Sequence, residues 1–288
     1  MSNKRIENND ILEDKVGPWR IQWKNDGFDY QTLLNSFMDN EIQGQRLTTG
    51  SPYRIVHKVE YAGRTFVLKK DTETDRRLEK RLWTRLAGTF YSRLIHLTSK
   101  AIKKGCPVLQ DVYLVAEKME GSFCREAYII AEYIHGQSFI KEVYEEGQPV
   151  VFLRPGVNLS RIAEALAILH DYGLASNDAI VSNFILTEDK KIKVIDLCTN
   201  GPVFIAMAND IMKMRRSYNT EVPIRRLTVK ILTVFLSWQY RLKQRLRIWR
   251  KRIPPPIPPK IWEDLPEAVS KPESEAVKGV VDSGVQPE

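Results

Sequence analysis

Four residues of this chain could divide one reaction between them: Lys69, Asp178, Asn183 and Asp196. A lysine supplies a compact positive charge, an amide and a carboxylate supply hard oxygen ligands, and a second carboxylate can take up a proton. Such oxygens suit Mg2+, which binds one or two protein carboxylates and completes its shell with phosphate oxygens and water. Asn183 stands just ahead of the apolar run Phe184-Ile185-Leu186. A polar turn follows at 187–190, and a second apolar run, 192–195, ends at Asp196. Two short β-branched-rich segments joined by a charged turn predict a hairpin, and a hairpin folds Asp196 back beside Asn183. The chemistry open to this set is phosphoryl transfer, in which the protein aligns the reactants and neutralises spreading negative charge.

The elements that must position these groups can be read on either side. Lys69 ends the apolar run Thr65-Phe66-Val67-Leu68; before it, Ile55, Val56, Val59 and Tyr61 lead to Ala62-Gly63, a hairpin signal. A charged helix is expected over 72–87, with Leu78, Leu82 and Leu86 four apart, and a second over 90–104, stopped by Gly105 and Pro107. Residues 111–117 and 127–133 predict an antiparallel pair around Glu120-Gly121-Ser122. With a short strand and helix between Trp19 and Phe37, the N-terminal half reads as a sheet of about five strands with helix inserted after the third. Beyond Ile134-His135-Gly136 the pattern turns helical: 157–172, carrying Ile162, Leu166 and Leu169 on one face and ending at Gly173, then 207–216, then 227–252. The fold class expected is α+β. The division is a flexible 1–17, an N-terminal nucleotide-binding lobe 18–134, a C-terminal catalytic lobe 135–253, and a Pro-rich tail 254–288 expected to be disordered.

Composition narrows the partners. Of 288 residues, 43% are hydrophobic and 28% charged, ordinary for a soluble globular chain. The net charge of +8 belongs to one segment: residues 222–262 hold eleven Lys or Arg and no Asp or Glu, which leaves the rest at −3. Three cysteines show neither zinc nor disulfide spacing, and the four histidines lack metal spacing; His170 reads as a support of the loop that follows it. No secretory signal and no run of about 18 apolar residues is found, so a cytoplasmic protein is expected.

Lys69 on a strand, Asp178-Ala-Ile-Val-Ser-Asn183 and Val194-Ile195-Asp196 stand in the order of the protein-kinase motifs, with Leu197 where those have Phe. In that scheme Lys69 holds the α- and β-phosphates of ATP and is itself held by Glu79, with Glu73 the other choice. Asn183 and Asp196 bind Mg2+, and Asp178 accepts the proton of the attacking hydroxyl. Asp210 reads either as a brace of the catalytic loop or as a solvated helix residue. Three stretches make the resemblance narrower: Glu126-Ala-Tyr-Ile-Ile-Ala-Glu-Tyr-Ile-His-Gly136, Leu169-His170 with Gly173, Asp178, Asn183-Phe-Ile185, and Val194-Ile-Asp-Leu197. They resemble the lipopolysaccharide core heptose(II) kinase family, over about residues 50–252. The resemblance implies a two-lobed protein-kinase-like fold and ATP-dependent phosphorylation of an inner-core heptose at the cytoplasmic face of the inner membrane. It further implies that the backbone of Glu132 and Ile134 meets adenine. The chain departs from the family at Ser176-Asn177 before Asp178 and Ala179 to Ser182 after it. The glycine-rich loop is reduced to Thr48-Thr49-Gly50-Ser51, whose N–H groups and hydroxyls can still cradle phosphate.

The basic segment, 225–252, mixes seven cations in the twelve residues 241–252 with Leu242, Leu246, Ile248 and Trp249. It reads as an interfacial anchor on an anionic membrane, as a core helix with a solvated cationic end, or as a nucleic-acid patch; no nucleic-acid motif accompanies it, so no nucleic-acid partner is expected. The competing functional readings are a pseudokinase-like membrane scaffold and a small-molecule phosphotransferase.

Overall fold

The computed structural model describes residues 10–47, 53–72, 81, 84–86, 88–145, 148–154, 157–197, 201–249 and 260–261. Its largest feature is a seven-stranded antiparallel sheet. In chain order the N-terminal elements are β1 (Ile11–Val16), β2 (Trp19–Lys24), α1 (Tyr30–Met38), β3 (Gln45–Arg46), β4 (Arg54–Tyr61), β5 (Arg64–Asp71), α2 (Phe90–Lys103), β6 (Val112–Glu120) and β7 (Phe123–Glu132). The strands lie in the order β1-β2-β6-β7-β5-β4-β3. The β4–β5 hairpin turns through Ala62 and Gly63, both at positive φ, the backbone of a tight turn that matches strand twist.

Side-chain alternation divides the sheet between two cores. Phe66 and Leu68 of β5 join Leu114, Ala116, Tyr128 and Ile130 in a cluster closed by Tyr30, Leu33 and Leu34 of α1. Val112, Val115, Ile129 and Ala131 cluster with Ile95 of α2. Lys69 pairs with Ile129 across the β5–β7 ladder, so it stands on the face that α2 covers. Each such buried Leu, Ile or Phe contributes about 1.5–3 kcal/mol, which fixes the strand that carries Lys69.

The C-terminal part supplies β8 (Gly136–Ser138), β9 (Ile140–Glu145), β10 (Gln148–Leu153), α3 (Leu159–Asp171), a 3-10 turn (Val181–Asn183), β11 (Phe184–Thr187), β12 (Ile192–Val194), α4 (Val203–Tyr218), α5 (Leu227–Trp249) and β13 (Lys260–Ile261). A three-stranded sheet runs β12-β11-β8. It is tight at Gly136, where any Cβ would stand 2.3 Å from the Leu186 carbonyl oxygen, so only glycine lets β8 pair there. The architecture is mixed α+β: an antiparallel sheet lobe followed by a mainly helical one. By contacts the chain forms two compact units, Met1–Phe139 with Asn158–Pro256, and Ile140–Val157 with Ile257–Glu288. In the second, β9 pairs antiparallel and β13 parallel with β10.

Several expectations are corrected. The sheet has seven strands rather than about five, and the helix that covers it follows β5. The segment expected to be flexible, 1–17, contains β1, whose Glu13, Asp14 and Lys15 are exposed as suits an edge strand. Short apolar content hid this strand, and the β9–β10 hairpin was not anticipated. Lys260–Ile261, assigned to the disordered tail, pairs with Phe152 and Leu153. Of the helix expected over 72–87, residues 81 and 84–86 are helical; most of the rest, with Glu73 and Glu79, lies outside the described residues, as do 262–288.

Candidate active site

The loop between α3 and β11 carries Asp178, and α4 holds it in place. α3 ends at Asp171, and just beyond its cap Gly173, with a φ of 80°, takes the left-handed conformation that lets the chain reverse. Asp210 of α4 is fully buried; its Oδ2 accepts the Ser176 N–H at 2.9 Å and lies 3.1 Å from His170 Nε2. Burial pushes the Asp210 carboxyl up, while His170 and the backbone N–H groups of Ser176 and Asn177 oppose that shift. Of the two readings of Asp210, the structure selects the brace. Asn209 Nδ2 donates to Asn177 Oδ1 at 2.9 Å, holding a residue whose φ of 60° asparagine tolerates better than most. Lys213 Nζ donates to Asp178 Oδ1, and the Tyr218 hydroxyl accepts the Val181 N–H at 3.1 Å. Asn209, Lys213 and Tyr218 were not singled out from sequence. Asn209, Asp210 and Lys213 share one helical face by spacing, which was the available signal.

The second half of the site comes from the β11–β12 hairpin. Phe184 pairs with Val194 and Leu186 with Ile192, and the Ile195 N–H donates to the Asn183 carbonyl at 3.0 Å. Asp196 therefore follows directly on a residue bonded to Asn183. From the sheet lobe, Lys69 Nζ reaches Asp196 Oδ1 at 2.8 Å and the Ile195 carbonyl at 3.2 Å. The Asp196 side chain is 63% exposed, so this ion pair is worth below about 1 kcal/mol and can open in exchange for phosphate. Asp178 is 58% exposed, open to an incoming hydroxyl. Asn183 Nδ2 donates to the Asp178 carbonyl at 2.9 Å, which leaves Oδ1 as the atom able to ligate a cation.

A further cation was missed from sequence. Arg54, at the start of β4, lies 3.1 Å from Asp71 Oδ2 and also feels the charge of Asp196. The same carboxylate oxygen accepts the Tyr91 hydroxyl at 2.7 Å, and burial together with Asp71 pushes that phenol well above its usual range. Tyr91 thus stays a donor, tying the start of α2 to the end of the lysine strand.

Two of the other expected residues stand on the segment that leaves the sheet lobe. Glu132 ends β7; its N–H donates to the Asp111 carbonyl at 2.9 Å and its carbonyl accepts Gln110 Nε2 at 2.8 Å, leaving one lone pair for a ligand. Ile134 follows in the segment between β7 and β8 and is half-buried. Glu79, Thr49, Gly50 and Ser51 lie outside the described residues. Among the described residues no three His, Cys, Asp or Glu side chains converge as a metal cage. Asn183 and Asp196 offer one amide and one carboxylate oxygen, a donor set that fits a Mg2+ sharing its shell with phosphates and water.

Residues 10–252 match the family described as "Lipopolysaccharide core biosynthesis protein (WaaY)". The lipopolysaccharide core heptose(II) kinase WaaY of Escherichia coli (strain K12) is 25% identical over 219 residues, covering 75% of this chain and 86% of that protein. Among solved structures, WaaP in complex with acyl carrier protein gives a TM-score of 0.44 at 14% identity, over 79% of this chain and 99% of that one.

Proposed function

The chain belongs to the lipopolysaccharide core biosynthesis protein (WaaY) family, and from that premise we propose that it is an ATP-dependent kinase that phosphorylates a heptose, heptose II, of the lipopolysaccharide inner core. The observation that carries this reading is the meeting of Lys69 with Asp196 beside Asn183, in a loop system that also presents Asp178. A lysine from the sheet lobe, two oxygen ligands and an exposed carboxylate form the donor set of phosphoryl transfer to an alcohol.

In this reading ATP enters with its phosphates at Lys69, which exchanges Asp196 for phosphate oxygens, and Arg54 adds positive charge at the same end of the sheet. Adenine lies against the backbone of Glu132 and Ile134. Asn183 and Asp196 are the residues that would hold Mg2+, which would supply charge neutralisation at the phosphate oxygens. The sugar hydroxyl attacks the γ-phosphorus in line; the new P–O bond forms as the bond to the β,γ-bridging oxygen breaks. Asp178 takes the hydroxyl's proton, and ADP departs with the electron pair of the broken bond.

The acceptor is lipid-linked, and α5 fits a surface encounter with it. Val229, Thr233 and Ser237 face inward, and the Ser237 hydroxyl lies 2.8 Å from Met212 Sδ of α4. Leu227, Ile231, Val234, Phe235, Trp238 and Leu242 form an exposed apolar stripe on the other side. Among the described residues no helix is long and apolar enough to cross a membrane. An exposed apolar stripe continued by seven cations in 241–252 is the pattern of a helix lying on an anionic bilayer. That pattern supports peripheral contact with a membrane, and the heptose-kinase reading makes that membrane face the cytoplasmic face of the inner membrane.

The test is transfer of labelled γ-phosphate from ATP to purified core lipopolysaccharide. The full chain is expected to transfer it, and Asp178→Asn to lose roughly 10²–10⁴-fold in rate while still binding ATP. Full activity in the Asp178→Asn protein would remove Asp178 from the mechanism.

A further inference from the structure

We propose that Lys213 is the positioning cation of the catalytic loop, holding the Asp178 carboxylate in register and following charge as it moves onto the transferring phosphoryl group. The inference rests on the kinase reading and names a residue for which that reading gives no role. Lys213 Nζ donates to Asp178 Oδ1 across 35 residues of sequence. It projects from the helical face whose Asp210 binds the Ser176 N–H and whose Asn209 binds the Asn177 side chain. Three consecutive loop residues, 176, 177 and 178, are thus each addressed from α4. The first two contacts hold backbone and an amide; the third alone holds a side chain that would react.

The division of labour argues against a structural role for Lys213. The buried Asp210 with His170 already fixes the loop to α4, and an exposed ion pair adds little to stability. The loop offers no cation of its own: Ala179, Ile180, Val181 and Ser182 separate Asp178 from Asn183. A lysine bound to Oδ1 leaves Oδ2 to meet the hydroxyl. Its ammonium is a mobile point charge able to shift toward the phosphoryl oxygens once Asp178 is protonated.

The experiment compares Lys213→Met and Lys213→Arg with the unaltered full chain, using ATP, Mg2+ and core lipopolysaccharide lacking the phosphate. The expected result is a kcat loss of roughly 10²-fold in Lys213→Met. The KM for ATP and the melting temperature should stay unchanged, and Lys213→Arg should recover most of the rate. If the unaltered protein transfers phosphate and Lys213→Met matches its kcat, the role given to Lys213 is wrong while the kinase reading stands. A Lys213→Met protein that melts early, with no rescue by arginine, likewise overturns it by making the residue structural. No transfer by the unaltered protein sinks the kinase reading itself, and the inference with it.

Discussion

At the scale of single residues, the site works through contacts that are easy to exchange. Lys69 and Asp196 pair at 2.8 Å but remain partly open to water, so the lysine can be recruited by phosphate at small cost. Replacing Lys69 with alanine removes one charged hydrogen-bond donor, worth about 1.5–3 kcal/mol, so ATP affinity should fall about 10- to 100-fold in calorimetry. A change of less than twofold would show that the lysine does not touch nucleotide. Asp178, Asn183 and Asp196 could be read from sequence because a local hairpin joins two of them and a five-residue spacing the third. Lys213 and Arg54 could not be read so directly. Lys213 meets Asp178 from a separate element 35 residues away, and Arg54 meets Asp71 at the open end of the β4–β5 hairpin; a lone basic residue on a helix or strand carries no local signature of what it meets.

At the scale of elements, α4 acts as a template for the loop that it does not contain. Its buried Asp210 holds Ser176 and His170, and removing the carboxylate leaves both without that partner. Asp210→Ala should cost about 3 kcal/mol in denaturant unfolding, because breaking a buried charged contact strands the remaining group. An unchanged midpoint would mean that the loop is held elsewhere. Gly136 offers a second test at this scale. A methyl there meets the Leu186 carbonyl, so Gly136→Ala should destabilise by about 1–3 kcal/mol through strain between β8 and β11. The hairpins of β4–β5, β6–β7 and β11–β12 were legible because turn residues separate alternating apolar runs. β1 and the β9–β10 hairpin were not: charge interrupts the apolar residues of β1 and β9, and β10 is a continuous apolar run without the alternation that marks a half-buried strand.

At the scale of the whole molecule, the proposed nucleotide site and an amphipathic helix share one chain, and a lipid-linked acceptor would need both. The basic segment was plain from charge alone, but the exposure of Ile231, Phe235 and Trp238 on α5 required the packing against α4 to be known. Phe235→Asp with Trp238→Asp should lower binding to vesicles of anionic lipid by roughly tenfold or more, while phosphate transfer to a soluble, delipidated core acceptor persists. Raised salt should weaken the same vesicle binding. Equal vesicle binding before and after the substitutions would remove α5 from the membrane reading. The central claim, that this chain adds phosphate to a core heptose through Asp178, is met most directly by mass spectrometry of core oligosaccharide. The material would come from cells lacking the protein and supplied with either the unaltered chain or Asp178→Asn. The account predicts one heptose phosphate restored by the unaltered chain and absent with Asp178→Asn; identical phosphate content in the two samples would contradict it.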